Sequence, residues 1–346
     1  MLQVLRYLLF PVSIIYLCVT KMRNWLFDHQ IVLKSTSFDT PIVVVGNLSV
    51  GGTGKTPMVE WLLHSLSAKY NVAVLSRGYG RKTKGFRQIS VKDTALTVGD
   101  EPLQMFQKFS SSVSFFVGED RVSAIQQIER SHIPQIIILD DAFQHRYVKP
   151  DYSILLTTFY KPFYEDFLMP VGMLREARMG ALRADCCIVT KIDAAEISKL
   201  DSTQASIKKY LHKNAWTTGS YIQYDEICWH SKAPNFLESV TLVSGIANSR
   251  GFEKYCLDHF EITKHFEFSD HYNYKESDVI EIKSYLVENK SPILLTTEKD
   301  YQRLKSYFEP ETDMYLGYIP IKNKIIDGEK LLKEIDTIIA TKKTKL

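Results

Sequence analysis

Cysteine is sparse and badly placed for cross-linking in this 346-residue chain: Cys18, Cys186, Cys187, Cys228 and Cys256 are odd in number and form no C-x-x-C pair. A disulfide framework needs partners and a structural zinc needs clustered thiolates, so neither is expected, and a reducing cytosol is the natural setting. An excess of one charge is also missing, since 43 Lys+Arg face 40 Asp+Glu and leave a formal +3. No overall field points to nucleic acid, and any cationic patch must be local. Nor does the N-terminus supply a long apolar run. The stretch YLLFPVSIIYLCVT between Arg6 and Lys21 is 14 residues long and contains Pro11, against about 20 needed to span a bilayer. No small-residue cleavage site follows it. Lys21, Arg23, Trp25 and Phe27 come next, which suits a membrane-associated helix over residues 1–24 lying in the headgroup region rather than a signal peptide. A hydrophobic helix packed on the core is the plainer alternative. Internal repeats and low-complexity segments are absent, and the terminal KKTKL reads as a solvated tail.

What is present is enough apolar material, 45% of residues, to fill two cores. From residue 42 to about 190, short apolar runs (IVVVG, VAVLS, SFFVG, IIILD, YSILLT, CCIVT) alternate with helical patterns. That rhythm predicts an α/β fold with a doubly wound, mostly parallel sheet. TLVSGIA, ILLTTEKD and MYLGYIPI then predict a second, smaller α/β domain. The expected division is 1–24 for the N-terminal helix, 25–225 for the core and 226–346 for the smaller domain.

The first apolar run leads into SVGGTGKT. Against the phosphate-loop pattern G-x-x-x-x-G-K-[ST], Gly54, Lys55 and Thr56 fit, while Ser49 stands where the first glycine is usual. With Gly51, Gly52, Thr53 and Gly54 the backbone can approach the phosphates of ATP, Lys55 can reach the β/γ oxygens, and the Thr56 hydroxyl can ligate Mg²⁺. IIILDD ends in Asp140 and Asp141, which places two carboxylates at the carboxyl edge of the sheet, where a cation relieves their repulsion. Thr190-Lys191-Ile192-Asp193 ends another strand and resembles the base-reading loop of GTPases, whose aspartate pairs with guanine. Yet Asp140–Asp141 is followed by Ala142 and Phe143, so the D-x-x-G switch of a GTPase is missing.

Seven further blocks, SRGYGRK at 76–82, GDEP at 99–102, VGEDR at 117–121, DDAFQHR at 140–146, PVGMLREA at 170–177, FSDHYNY at 268–274 and TTEKDYQRL at 296–304, together resemble the tetraacyldisaccharide 4'-kinase family. The resemblance implies a membrane-associated kinase that moves the γ-phosphate of ATP to the 4'-hydroxyl of a lipid A disaccharide 1-phosphate. It also implies a place at the cytoplasmic face of the bacterial inner membrane, a glycolipid substrate and no obligatory protein partner. The family's loop also begins with serine, which accounts for Ser49. A GTPase switch and a membrane-bound nucleotide sensor are the rival readings.

The residues themselves agree with that assignment. Arg77, Arg81, Lys82, Lys84 and Arg87 crowd one glycine-bearing segment that also carries Tyr79, suited to an anionic headgroup. Arg121 and Arg175 follow apolar runs and offer guanidinium forks to developing phosphoryl charge, although Arg175 beside Glu176 also reads as a surface ion pair. His145 after the acid pair suits either substrate contact or a structural role. Cys186 and Cys187 read as core. A sugar hydroxyl needs a base, and the resemblance places Asp100 with His271 as that acid–imidazole dyad.

Overall fold

The computed structural model describes residues 8–237, 239–246, 249–270, 272–308 and 314–344. The chain divides into two units, Met1–Tyr221 with Asn323–Leu346, and Ile222–Lys322.

In the first unit, helix α1 (Phe10–Asp28) precedes strand β1 (Ile42–Asn47), whose six residues are all buried. Val43 and Val45 enter one core and Ile42 and Val44 the other, as a strand covered on both faces requires. The next elements are α2 (Lys55–Leu66), β2 (Val72–Ser76), β3 (Arg87–Gln88), α3 (Ala95–Val98), α4 (Asp100–Phe109), β4 (Val113–Val117), α5 (Arg121–His132) and β5 (Ile136–Asp140). After them run β6 (Tyr152–Thr158), β7 (Cys186–Ile192), α6 (Leu200–Lys208) and β8 (Trp216–Tyr224).

The second unit holds β9 (Cys228–Trp229), β10 (Ser239–Ser244), α7 (Arg250–His259), β11 (Glu261–Glu267), α8 (Glu276–Glu288), β12 (Ile293–Thr297), α9 (Glu298–Leu304) and β13 (Tyr315–Ile319). Its sheet has the order β11-β10-β12-β13-β9, parallel except for β9. This unit is therefore also α/β. Strand β14 (Ile321–Ile325) and helix α10 (Gly328–Lys343) follow it.

The larger sheet runs β14-β8-β7-β6-β1-β5-β2-β4-β3. Strands β4, β2, β5, β1, β6, β7 and β8 pair in parallel, and β3 is antiparallel to β4. Successive strands depart from β1 first toward β4 and then toward β8, so the direction of winding reverses at β1. Ligands of such sheets sit beyond the carboxyl ends of the strands at that reversal.

Two features bear on the expectations. The terminal helix, placed by sequence with residues 226–346, belongs to the first unit: Leu331, Ile335 and Ile339, spaced four apart along one face, join Val43, Met58 and Leu62 in its core. The Lys342 ammonium donates to the Phe38 carbonyl (2.6 Å) and to Asp151 Oδ2 (2.7 Å), pinning the end of the helix. Helix α1, in turn, is inside out. Its polar stripe faces protein: the Tyr16 hydroxyl donates to the Arg175 carbonyl (2.7 Å), Arg23 Nη2 to the Gln144 carbonyl (2.8 Å) and Asn24 Nδ2 to Glu176 Oε2 (2.8 Å). Val12, Ile14, Ile15, Val19, Met22 and Trp25 are exposed, and Phe27 is its buried apolar residue. Among the described residues no helix is long and apolar enough to cross a membrane.

Ile335→Ala removes a fully buried side chain from the core shared by α10 and β1, and should lower the stability of the first unit by about 2–4 kcal/mol. Urea unfolding followed by tryptophan fluorescence measures this; an unchanged midpoint would exclude α10 from that core.

Candidate active site

The phosphate loop is shaped by two glycines in the left-handed region, Gly51 at φ 113° and Gly54 at φ 85°, conformations that side chains resist. Gly54 caps α2, so Lys55 and Thr56 open the helix with its unsatisfied N–H groups toward the loop. Two side chains from strand ends hold Thr53: Asn47 Nδ2 donates to its Oγ1 (2.7 Å), and the Thr190 hydroxyl donates to its carbonyl (2.8 Å). The segment 173–175 lies along the other flank. Val50 N donates to the Met173 carbonyl (2.8 Å), Arg175 N to the Leu48 carbonyl (2.7 Å), and Ser49 bridges Leu174. Ser49, Gly51, Gly52, Thr53, Gly54, Lys55 and Thr56 thus form one braced loop, and the same pairing delivers Arg175 beside it.

The two acids differ. Asp141, in the left-handed region at φ 49°, meets Arg175 Nη1 at 3.0 Å and Lys55 Nζ at 3.6 Å on the same oxygen, Oδ1. Glu176 does not pair with Arg175 but with Arg183 (2.6 Å), so Arg175 is freed for the site. Asp140 is 3% exposed, accepts the Ser76 hydroxyl on Oδ2 (3.1 Å), and has no partner for its buried Oδ1. Burial, and then the charges of Glu101 and Asp141, push its carboxyl up to about 7. An orphaned, buried carboxylate oxygen of this kind fits a hard divalent cation, which binds oxygen ligands. No group of three or more acid, histidine or cysteine side chains among the described residues forms a self-sufficient metal site.

Around this edge stand the expected substrate residues. Arg121, 3% exposed, donates through Nη1 to the Gly118 (2.8 Å) and Glu119 (3.1 Å) carbonyls, and its buried Nε has no partner. Burial first and Arg77 second lower it to about 10. His145 Nε2 is likewise buried and unpartnered, and burial followed by the Arg121 charge pulls the imidazole down to about 4, so it stays neutral at physiological pH. Arg77 and Tyr79 are exposed. Arg81 points inward instead: it pairs with Glu119 (2.8 Å) and donates to the Gly85 carbonyl (2.7 Å), so in this structure it shapes the loop. Asp100 is the exposed first residue of α4, and His271 lies outside the described residues.

Sequence reasoning missed the roles of four participants. Gln144 donates to the Asn47 carbonyl (2.7 Å) and Glu176 Oε1 (3.0 Å), Ser76 contacts Asp140, Glu101 lends it charge, and Thr190 braces the loop. Each stands at a strand end or in a block already quoted, which is the signal that was available.

The sequence profile of the family described as tetraacyldisaccharide-1-P 4'-kinase matches residues 5–340. The tetraacyldisaccharide 4'-kinase of Flavobacterium johnsoniae is 40% identical over 334 residues, covering 95% of each chain. The enzyme of the same name from Cytophaga hutchinsonii is 38% identical over 350 residues, covering 99% of this chain and 98% of its own. Among solved structures, the "apo" form of LpxK from Aquifex aeolicus in complex with ATP superposes with a TM-score of 0.73 at 29% identity, covering 97% of this chain and 99% of that one.

The Asp140 carboxyl, raised in the folded state above its value of about 4 in the unfolded chain, binds more protons when folded, so without divalent cation its contribution to stability is lost as pH rises from about 4 to about 7. Asp140→Asn should therefore gain on the wild type, on the order of 3 kcal/mol, between pH 5 and pH 8 in EDTA. Magnesium should restore the wild type at pH 8 and not the variant. Thermal unfolding at the two pH values reads both effects, and a pH-independent offset would contradict the assignment.

Proposed function

The chain belongs to the tetraacyldisaccharide-1-P 4'-kinase family, and from that premise we propose how its residues divide the work. The reaction is transfer of the γ-phosphate of ATP to the 4'-hydroxyl of a tetraacyldisaccharide 1-phosphate, a step of lipid A biosynthesis. A bond forms between the 4'-oxygen and the γ-phosphorus, the bond from that phosphorus to the β–γ bridging oxygen breaks, and ADP leaves. The observation that carries the assignment is the meeting of Lys55 and Arg175 on Asp141, beside the orphaned Asp140 oxygen and against the phosphate loop.

Residues 49–56 hold the phosphates of ATP through backbone N–H groups, and Lys55 and Arg175 face the charge that spreads over the transferring group. Mg²⁺ would be held by Thr56 and Asp140, with Asp141 orienting the cations next to it, and would neutralise phosphate charge. Asp100 takes the hydroxyl proton. Arg77, Tyr79, Arg121 and His145 receive the headgroup, the unpartnered nitrogens of Arg121 and His145 being satisfied by its polar groups, while Arg81 keeps the 78–85 loop in shape.

Helix α1 supports a membrane-surface role. Its row of exposed aliphatic side chains costs several kcal/mol in water relative to an apolar environment, and its polar contacts fix that row outward. We place this surface on the cytoplasmic leaflet, where the acyl chains of the acceptor lie.

Incubation with γ-labelled ATP and detergent-solubilised acceptor tests the function: label should appear in the lipid, and Lys55→Ala should lower that rate by two orders of magnitude or more at unchanged Tm. A near-wild-type rate would remove the phosphate loop from the mechanism. Ile15→Glu with Val19→Glu should reduce sedimentation with anionic vesicles while leaving ATP binding intact; full sedimentation would put the anchor on another surface.

A further inference from the structure

Helix α6 and the turn after it cover one face of the larger sheet and helix α10 the other: Leu200, Ile207 and Leu211 join the core of Ile42 and Val44, whereas Leu331 and Ile335 join that of Val43 and Val45. Strand β7 lines one edge of β8 from Trp216 onward. On the other edge the returning chain makes its last backbone bond at Gly219, whose carbonyl accepts from Ile326 N (3.0 Å), and then turns into α10. Past that point a cleft of about 550 Å³ opens, with Lys208 and Lys213 on one wall, Lys330 in the first turn of α10 on the other, and Trp216 and Thr217 between them. Trp216 is the first residue of a strand parallel to its neighbours, so the cleft lies at the amino edge of the sheet, away from the phosphate loop.

The three ammonium groups on its rim are uncompensated. Elsewhere in this unit lysines find carboxylates, as Lys69 does with Asp336 (3.8 Å) and Lys342 with Asp151 (2.7 Å). Among the described residues Lys208, Lys213 and Lys330 pair with none. Lys330 Nζ rests instead over the Trp216 ring, 4.0 Å from its centroid, which holds the ammonium without cancelling its charge. The ring is fixed in turn, since Trp216 Nε1 donates to Glu334 Oε2 (2.8 Å). The acid of the lining, Asp327, is turned to β8, where the Thr218 hydroxyl donates to its Oδ2 (2.7 Å). His212 is engaged within its own turn, accepting from Asn214 N (3.3 Å) on Nδ1 and facing Asp185 (3.7 Å) with Nε2. One donor at the floor has no answer: the Thr217 hydroxyl is buried and meets no hydrogen-bond partner, a costly state that a ligand oxygen would relieve.

We propose that this cleft is a second anion site, which takes an organic di- or triphosphate with its phosphates among the three ammonium groups. Thr217 donates to one of its oxygens, and its less polar body lies along Leu211, Ala215 and the Trp216 indole. The volume is of the size that small-molecule sites have and exceeds what a bare phosphate fills. A nucleotide meets both requirements, and the transfer reaction itself releases one as ADP. The site shares no residue with the phosphate loop and stands independently of its assignment.

Equilibrium dialysis of the full chain with labelled ADP and Mg²⁺ tests the site, with tryptophan emission as the second measurement. The wild type should bind two ADP per chain. Lys208→Glu with Lys213→Glu should weaken one of them about tenfold or more and leave the other, and transfer at saturating ATP, unchanged. Lys55→Ala should keep the site that the double variant loses. Raising the salt concentration should weaken that site, and inorganic phosphate should occupy it at least about tenfold less tightly than ADP. An anion that draws Lys330 from the indole changes the emission of Trp216, so in Lys55→Ala the ADP-dependent change should largely vanish when Trp216→Phe is added. One ADP per chain in the wild type, loss of all binding in Lys55→Ala, or an affinity indifferent to the two charge reversals would overturn the proposal. So would inorganic phosphate binding as tightly as ADP, or an emission change that survives Trp216→Phe.

Discussion

A carboxylate buried with one oxygen unanswered, beside a second carboxylate, is the constraint around which the larger unit is arranged. Removing a charge from water is costly, and a neighbouring like charge adds to that cost. Asp141 is relieved by Lys55 and Arg175, each supplied by a different segment. Asp140 receives a hydroxyl on one oxygen and nothing on the other. The free protein therefore holds a costly buried group at the edge of a rigid sheet. Strain at φ 49° on Asp141 is part of the same arrangement, since it turns the two adjacent carboxylates in different directions.

The segment carrying Arg175 ties the catalytic edge to the N-terminal helix. Its backbone pairs with the phosphate loop, its next residue receives Asn24, and its carbonyl receives Tyr16. The apolar exterior of α1 and the cationic interior of the site are therefore opposite sides of one hydrogen-bonded layer. This arrangement suits a reaction whose acceptor has acyl chains in one medium and a phosphorylatable hydroxyl in another.

The strands of the larger sheet were legible because a buried parallel strand is a short, unbroken apolar run, and β1, β2, β5 and β7 are all of that kind. The phosphate loop was legible because few loops combine three glycines with Lys55 and Thr56. Thr190 and Gln144 were not, since a hydroxyl or amide that donates to a distant carbonyl leaves no mark in local spacing. Nor was the return of α10: an amphipathic helix announces that it has a buried face, not which sheet covers it. Helix α1 shows the converse. Its apolar content drew attention, but the spacing of Ser13, Tyr16, Thr20, Arg23 and Asn24 decides which face meets protein.

Because β14 and α10 close the first unit, residues 222–322 form an insertion within it. On the ribosome, the inserted domain is synthesised in full, over about 5–20 s, before α10 emerges. During that interval Met58, Leu62, Val43 and Val45 lack the cover of Leu331, Ile335 and Ile339. The domain within the insertion can finish folding while the unit that surrounds it waits, with an uncovered apolar face open to chaperones. The nascent chain thus completes its parts from the inside out: the catalytic unit begins first and is completed last.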